Sequence, residues 1–143
     1  MLVSQISVFL ENSSGRLFSV SDILAKNEIN VRAVSIADTT DFGILRMIVN
    51  DPDKAYGVLK DNNFTVRITK VIAVEIDDTP GSMAKVLKEL NDHAIEVEYM
   101  YAFLGNLSGN ALVILKIDDP EKVEKISQMD GVKLIPADEV YKL

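Results

Sequence analysis

Two short loops carry the residue types best suited to binding a small charged molecule. They span residues 11–17, with the sequence ENSSGRL, and residues 77–83, with the sequence DDTPGSM. Each loop contains a glycine, Gly15 or Gly81, which lets the backbone turn tightly and leaves no side chain to obstruct a ligand. A helical pattern follows each glycine, and the N–H groups at the start of a helix attract anions. The two loops therefore predict carboxylate-binding sites.

A purely structural interpretation of these loops stands beside the first one. Ser13 or Thr79 would be an N-cap, and Pro80 the first residue of its helix, so that no ligand is needed to satisfy the N–H groups. The chemistry of helix starts alone favours this interpretation. The occurrence of the same loop twice favours binding.

Composition excludes several other chemistries. The 143 residues include no cysteine, which excludes disulfides, thiolate metal sites and cysteine nucleophiles. His93 is the only histidine, so a histidine-rich metal site is excluded as well. The net charge of −7 argues against nucleic acid as a partner, because a phosphate backbone needs a basic surface. With no signal peptide and no apolar run of about 20 residues, we expect a cytoplasmic protein that needs no membrane, metal or cofactor.

The sequence repeats itself after 66 positions. Gly15 then falls on Gly81, and apolar positions of the first copy fall on apolar positions of the second. With two more residues inserted in the second copy, residues 51–52 match residues 119–120, and both pairs are Asp-Pro. We therefore predict two closely coupled domains, residues 1–69 and 70–143.

Both copies have the element order βαββαβ. In the first copy, the patterns predict strands at 2–10, 31–37, 43–49 and 64–68 and helices at 16–26 and 52–61. In the second copy, they predict strands at 71–76, 96–103, 110–117 and 132–135, helices at 82–92 and 120–129, and a short terminal turn or edge segment. The predicted fold class is α+β, with two tandem ferredoxin-like sandwiches, each an antiparallel four-stranded sheet with two helices on one face.

Several predicted strands are apolar on both faces, among them residues 43–49 and 111–117. Helices cover only one face of such a sheet, and the other face needs a partner. We infer that the copies pack against each other, that the chain forms a dimer, or both.

With the repeat and the segment 77–90 in view, the sequence resembles tandem ACT-domain proteins, of the stand-alone type without an enzyme module. The run Asp78-Thr79-Pro80-Gly81, followed by Met83, is similar to the Asp-x-Pro-Gly turn and helix of that family. The first copy departs from this motif, since Asn12 and Ser14 stand in place of the acid and the proline. The resemblance extends over essentially the whole chain.

The resemblance implies regulatory binding of a small ligand, usually an amino acid, at an interface between ACT-like units. It nominates residues from both loops and from the start of the second strand of each copy: Asn12, Ser14, Gly15, Arg16, Leu17, Asp78, Gly81, Ser82, Met83, Asn30 and Glu96. Asn30 and Glu96 would face the pocket of a neighbouring unit. Helix N–H groups would hold the carboxylate, and Asn12 or Asp78 the ammonium group. Because the loops differ, the two sites need not bind equally.

Two functional hypotheses follow. The first is a non-enzymatic regulatory module that senses an amino acid, works as a homo-oligomer such as a dimer, and passes its signal to a partner enzyme. The second is a structural or protein-interaction module that uses the apolar sheet face and binds no small molecule. The ferredoxin-like fold hosts many functions and does not decide between them.

Overall fold

The computed structural model describes residues 1–11, 15–38, 42–104 and 109–143. The chain divides into two compact units. The N-terminal unit is Ser4–Thr69, and the C-terminal unit combines Met1–Val3 with Lys70–Leu143. The domain limits given above, residues 1–69 and 70–143, stay a prediction.

The N-terminal unit is built on four antiparallel strands. Its elements are β1 (Val3–Glu11), α1 (Arg16–Lys26), β2 (Val31–Asp38), β3 (Phe42–Val49), α2 (Pro52–Asp61) and the first part of β4 (Thr65–Asp77). The strand order is β2-β3-β1-β4. Alternate β1 residues such as Ile6 and Val8 pack with Leu24 and Leu59 from the helices, and all four side chains are buried. The alternate apolar side chains of β1 and the apolar stripe of α1 thus pack in one core.

The C-terminal unit has the same strand order in its own elements. The second part of β4 is followed by α3 (Ser82–Asp92), β5 (Val97–Ala102), β6 (Asn110–Ile117), a 3-10 turn (Pro120–Lys122), α4 (Val123–Ser127), β7 (Lys133–Leu134) and α5 (Ala137–Lys142). The strand order is β7-β4-β6-β5. Its core contains Ile72 and Val74 from the sheet and Val86 and Leu90 from α3. The predicted α+β fold, two ferredoxin-like βαββαβ sandwiches, is confirmed.

Several elements differ from their predicted limits, and the largest differences are in the C-terminal unit and at the junction of the two copies. The strands predicted at 64–68 and 71–76 are parts of one strand, β4, because neither glycine nor proline interrupts residues 65–77. The helix predicted at 120–129 begins as a 3-10 turn, in which the Asp119 side chain accepts from the N–H of Glu121 at 3.0 Å. At the equivalent helix, Asp51 accepts from the N–H of Lys54 at 3.1 Å, which is the ordinary N-cap spacing. The strand predicted at 132–135 is reduced to Lys133–Leu134, and the terminal segment is helical.

Within the part of the chain that the structure describes, no helix is long and apolar enough to cross a membrane.

Candidate functional site

Gly15 and Gly81 are the N-caps of α1 and α3, and both are in the left-handed conformation. Their φ angles are +84° and +89°. An added Cβ would meet no atom within 4 Å at either position, so the backbone conformation and not the available space requires glycine. Each glycine leads into an 11-residue helix.

The interpretation of Thr79 as the N-cap, with Pro80 as the first helical residue, is wrong. Gly81 occupies the cap position, and the Thr79 hydroxyl lies 2.7 Å from that of Ser82. A glycine cap has no side chain to accept from the N–H groups of the first turn, unlike Asp51 at the start of α2. The first turns of α1 and α3 therefore keep N–H groups that their own caps do not satisfy.

The predicted residues of the first loop fall into two groups. Asn12 and Ser14 lie outside the described residues. Gly15 is exposed at the helix start, and Leu17 is 45% exposed on the first turn. Arg16 is the member of this set that lines an open cavity.

The predicted residues of the second loop differ in their exposure to solvent. Asp78 and Gly81 are exposed, whereas Ser82 is half-buried and lines a second open cavity. Met83 packs against the core of the C-terminal unit. Because Met83 is half-buried in this contact, it is less available to a ligand than the exposed Leu17.

Asn30 and Glu96 lie at the other end of their units. Each follows its helix, and 11 helical residues correspond to about 16 Å. The N–H of Asn30 donates to Asn50 Oδ1 at 2.8 Å, and the N–H of Glu96 donates to Asp118 Oδ1 at 3.3 Å. Within its own unit neither residue joins the glycine loop, and a role toward a neighbouring unit's pocket stays a prediction.

The cavity of the N-terminal unit measures about 330 Å³ and lies where β1 ends. Because β1 pairs antiparallel with β3, Glu11 stands opposite Phe42 at the start of β3. The rings of Phe9 and Phe42 are 6.0 Å apart between centroids. The described residues that line this first cavity come from β1, α1, β3 and the entry to β4: Phe9, Leu10, Glu11, Arg16, Phe42, Asn63 and Thr65.

Arg16 brings a positive charge to the first cavity. Its guanidinium carbon lies 4.2 Å from the centroid of the Phe64 ring, a cation–π contact that fixes the side chain. The Nε atom of Arg16 is shielded from solvent and has no hydrogen-bond partner. An enclosed polar atom of this kind costs free energy until an acceptor reaches it.

The cavity of the C-terminal unit measures about 240 Å³ and occupies the equivalent place. Glu75 lines it, and its Oε2 lies 2.7 Å from Lys133 Nζ while its Oε1 accepts from Asn110 Nδ2 at 2.6 Å. The hydrogen bond from Lys133, then that from Asn110, holds the pKa of Glu75 below its ordinary value. The carboxylate of Glu75 is therefore ionised and already paired at neutral pH.

Several residues of these cavities were not predicted from the sequence, among them Phe9, Phe42 and Thr65. A signal for them was present, because a ferredoxin-like order places the starts of the third and fourth strands beside the end of the first. Side chains at those three strand ends must share one edge of the unit.

Among the residues that the structure describes, no three His, Cys, Asp or Glu side chains are grouped so that they could hold a metal ion.

Comparison with known proteins gives one family and several similar structures. The sequence matches the model of a family described as an ACT domain pair over residues 1–143. Protein BT0572 from Bacteroides thetaiotaomicron is 44% identical, with 100% of this chain and 98% of that chain covered and a TM-score of 0.92. No curated protein matches significantly.

Two further solved structures share the fold at low identity. The ligand-free regulatory subunit of aspartate kinase from Thermus thermophilus is 16% identical over 87% of this chain and 88% of that chain, with a TM-score of 0.63. The corresponding subunit from Thermus flavus is 17% identical over 85% of both chains, with a TM-score of 0.60.

Proposed function

Because the chain belongs to the ACT domain pair family, we propose that it is a regulatory module that binds an amino acid and catalyses no reaction. The observation that carries the proposal is the pair of glycine-capped helix starts, each beside an open cavity. Helix N–H groups and a nearby cation are the features that recognise a carboxylate. Both cavities are small, close to the lower limit of about 300 Å³ for ligand pockets, and suit one amino acid better than a nucleotide.

The proposal includes the two predicted domains, residues 1–69 and 70–143, and a homo-oligomer, most simply a dimer. Support comes from the edge strands of the sheets. On β2, Val34 and Ile36 are 38% and 50% exposed, and on β5 Met100 is 39% exposed. Apolar side chains on an edge strand favour pairing with a second copy.

The proposal also includes a partner enzyme that reads the ligand state. Its support is an analogy of fold with the regulatory subunit of aspartate kinase from Thermus thermophilus. A ligand changes such an assembly only if it binds two arrangements with different affinity.

A thermal-shift screen of the full chain against the twenty amino acids tests amino-acid binding. A ligand that binds only the folded chain stabilises it by about 2.7 kcal/mol at 100 times its dissociation constant, so a true ligand raises the Tm. In Gly15→Val and Gly81→Val, a β-branched side chain is placed on a left-handed backbone. We expect the variant whose loop binds the ligand to lose the ligand-dependent increase in Tm.

Gly57→Ala is the matched control, because Gly57 lies within α2 and an added Cβ there meets no atom within 4 Å. This variant should keep the full ligand response. Far-UV circular dichroism verifies that the valine variants are folded. If no amino acid raises the Tm of the wild-type chain, the sensing function is wrong and the structural or protein-interaction module takes its place.

A further inference from the structure

We propose that only the cavity of the N-terminal unit is a ligand site, and that its ligand is an amino acid with an aromatic side chain. The inference rests on the proposed function and specifies it. The cavity of the C-terminal unit is then a structural remnant of the duplication, in which lining side chains pair with one another.

The two cavities are equivalent in position. Their lining residues correspond at an offset of 66 up to the helix start and of 68 from the third strand onward. The correspondence pairs Phe9 with Glu75, Arg16 with Ser82, Phe42 with Asn110 and Thr65 with Lys133. The backbone at both places is the same arrangement of two strand ends and a glycine-capped helix. The different side chains at these four pairs of positions give the two cavities different binding properties.

In the first cavity, a cation and two aromatic rings line the open space, and one of these rings, Phe9, also lies 5.5 Å from the Arg67 guanidinium carbon. Arg16 forms no ion pair within the described part of the chain, and its Nε lacks an acceptor. Phe42 is 39% exposed, and its ring is tilted by 59° against that of Phe9. A carboxylate in this cavity would pair with the Arg16 guanidinium, and an aromatic ring would extend the Phe9–Phe42 pair. Glu11 lines the same cavity and offers a carboxylate to the ligand's ammonium group.

In the second cavity, the corresponding groups satisfy one another. Glu75, Asn110 and Lys133 are joined by contacts of 2.6 and 2.7 Å, and both carboxylate oxygens of Glu75 are used. Ser82, in the place of Arg16, pairs its hydroxyl with that of Thr79. A ligand that reaches Glu75 would have to break these contacts. None of the described residues that line this cavity is aromatic, and the cation of Lys85 lies on its rim without the partner rings that Phe9 and Phe42 provide in the first cavity.

Isothermal titration calorimetry of the full chain with L-phenylalanine tests the inference. We expect one molecule to bind per chain. Arg16→Gln and Phe42→Ala should each weaken binding at least about tenfold, since a hydrogen bond to a charged group or an aromatic contact is lost. Lys133→Gln is the matched control in the second cavity and should change affinity by less than about twofold.

L-phenylalaninamide keeps the ring and the ammonium group but has no carboxylate, and it tests Arg16 without altering the fold. The affinity of the amide for the wild-type chain should be about as low as the affinity of phenylalanine for Arg16→Gln. The Arg16→Gln variant should bind the two compounds with about equal affinity. Two molecules per chain, equal binding of the amide and the acid, or a loss of affinity in Lys133→Gln would overturn the inference. So would binding of aliphatic amino acids alone, although the proposed function would then stand. If no amino acid binds at all, both are wrong.

Discussion

The cluster around Glu75 gives the sharpest prediction about stability. Its side chain is 14% exposed, whereas that of its partner Lys133 is 68% exposed. In Glu75→Gln, the remaining amide oxygen can still accept from Asn110, so the ion pair is the contact that disappears. Exposed pairs contribute about 0.2–1 kcal/mol, and the shielding of Glu75 places this pair near the upper value. We expect the free energy of unfolding to fall by about 1 kcal/mol at neutral pH.

The effect should depend on pH with a definite sign. The pKa of Glu75 is lowered in the folded chain, chiefly by the hydrogen bond from Lys133. Its contribution is therefore fully present above the pKa of an unfolded glutamate, about 4.3, and is lost as the pH falls through the lower folded value. The wild-type chain and Glu75→Gln should differ at about pH 7 and converge toward about pH 3.

Urea unfolding of both proteins across this pH range measures the difference. Asp92→Asn is the control, because it breaks the Lys88–Asp92 pair at 2.6 Å, whose side chains are 76% and 49% exposed. This control should lose less stability than Glu75→Gln, since both of its partners stay solvated. A difference for Glu75→Gln that is as large at about pH 3 as at about pH 7 would refute the electrostatic explanation.

Three further predictions concern the elements that position the cavities. Asp51→Ala should cost about 1 kcal/mol in chemical unfolding, because it removes the 3.1 Å cap of α2, and Asp51→Asn should keep most of that stability. Leu24→Ala should cost about 2–5 kcal/mol in the same assay, since the side chain is 1% exposed in the core, whereas Ala at the 45% exposed Leu17 should cost far less. Gly15→Ala should lower stability by about 1–2 kcal/mol through backbone strain alone, and an unchanged Tm would contradict the left-handed assignment.

Much of the fold follows from local patterns in the sequence. The predicted limits of helices 16–26 and 82–92 are those of α1 and α3, because each has an apolar stripe and a glycine at its start. Aspartate before proline marks the start of α2 in the same way. Such signals depend only on neighbouring residues, so no knowledge of tertiary structure is needed to interpret them.

Other features depend on contacts between distant residues. Thr65 and Lys133 had no distinguishing local signal, and their place beside the glycine loops comes from strand pairing. The short length of β7 and the 3-10 turn at Pro120–Lys122 likewise arise because tertiary contacts outweigh the local preference for a longer strand and an α-helix. Arg16 was predicted as a site residue, but its cation–π contact with Phe64, 48 positions away, was not.

The two copies share the features that shape the backbone and differ in the side chains that line their cavities. Two features that shape the backbone recur in both copies. One is a left-handed glycine before the first helix of the copy. The other is a lysine two residues after the proline of Asp-Pro, which donates to a backbone carbonyl just after that first helix. Those lysines, Lys54 and Lys122, donate to the carbonyls of Asn27 and Ala94 at 2.7 and 3.1 Å. The side chains that line the cavities do not recur, since an aromatic and cationic lining in one copy corresponds to a paired, charged lining in the other. A duplicated fold can thus keep its framework while its lining changes, because in the second copy the polar lining groups satisfy one another.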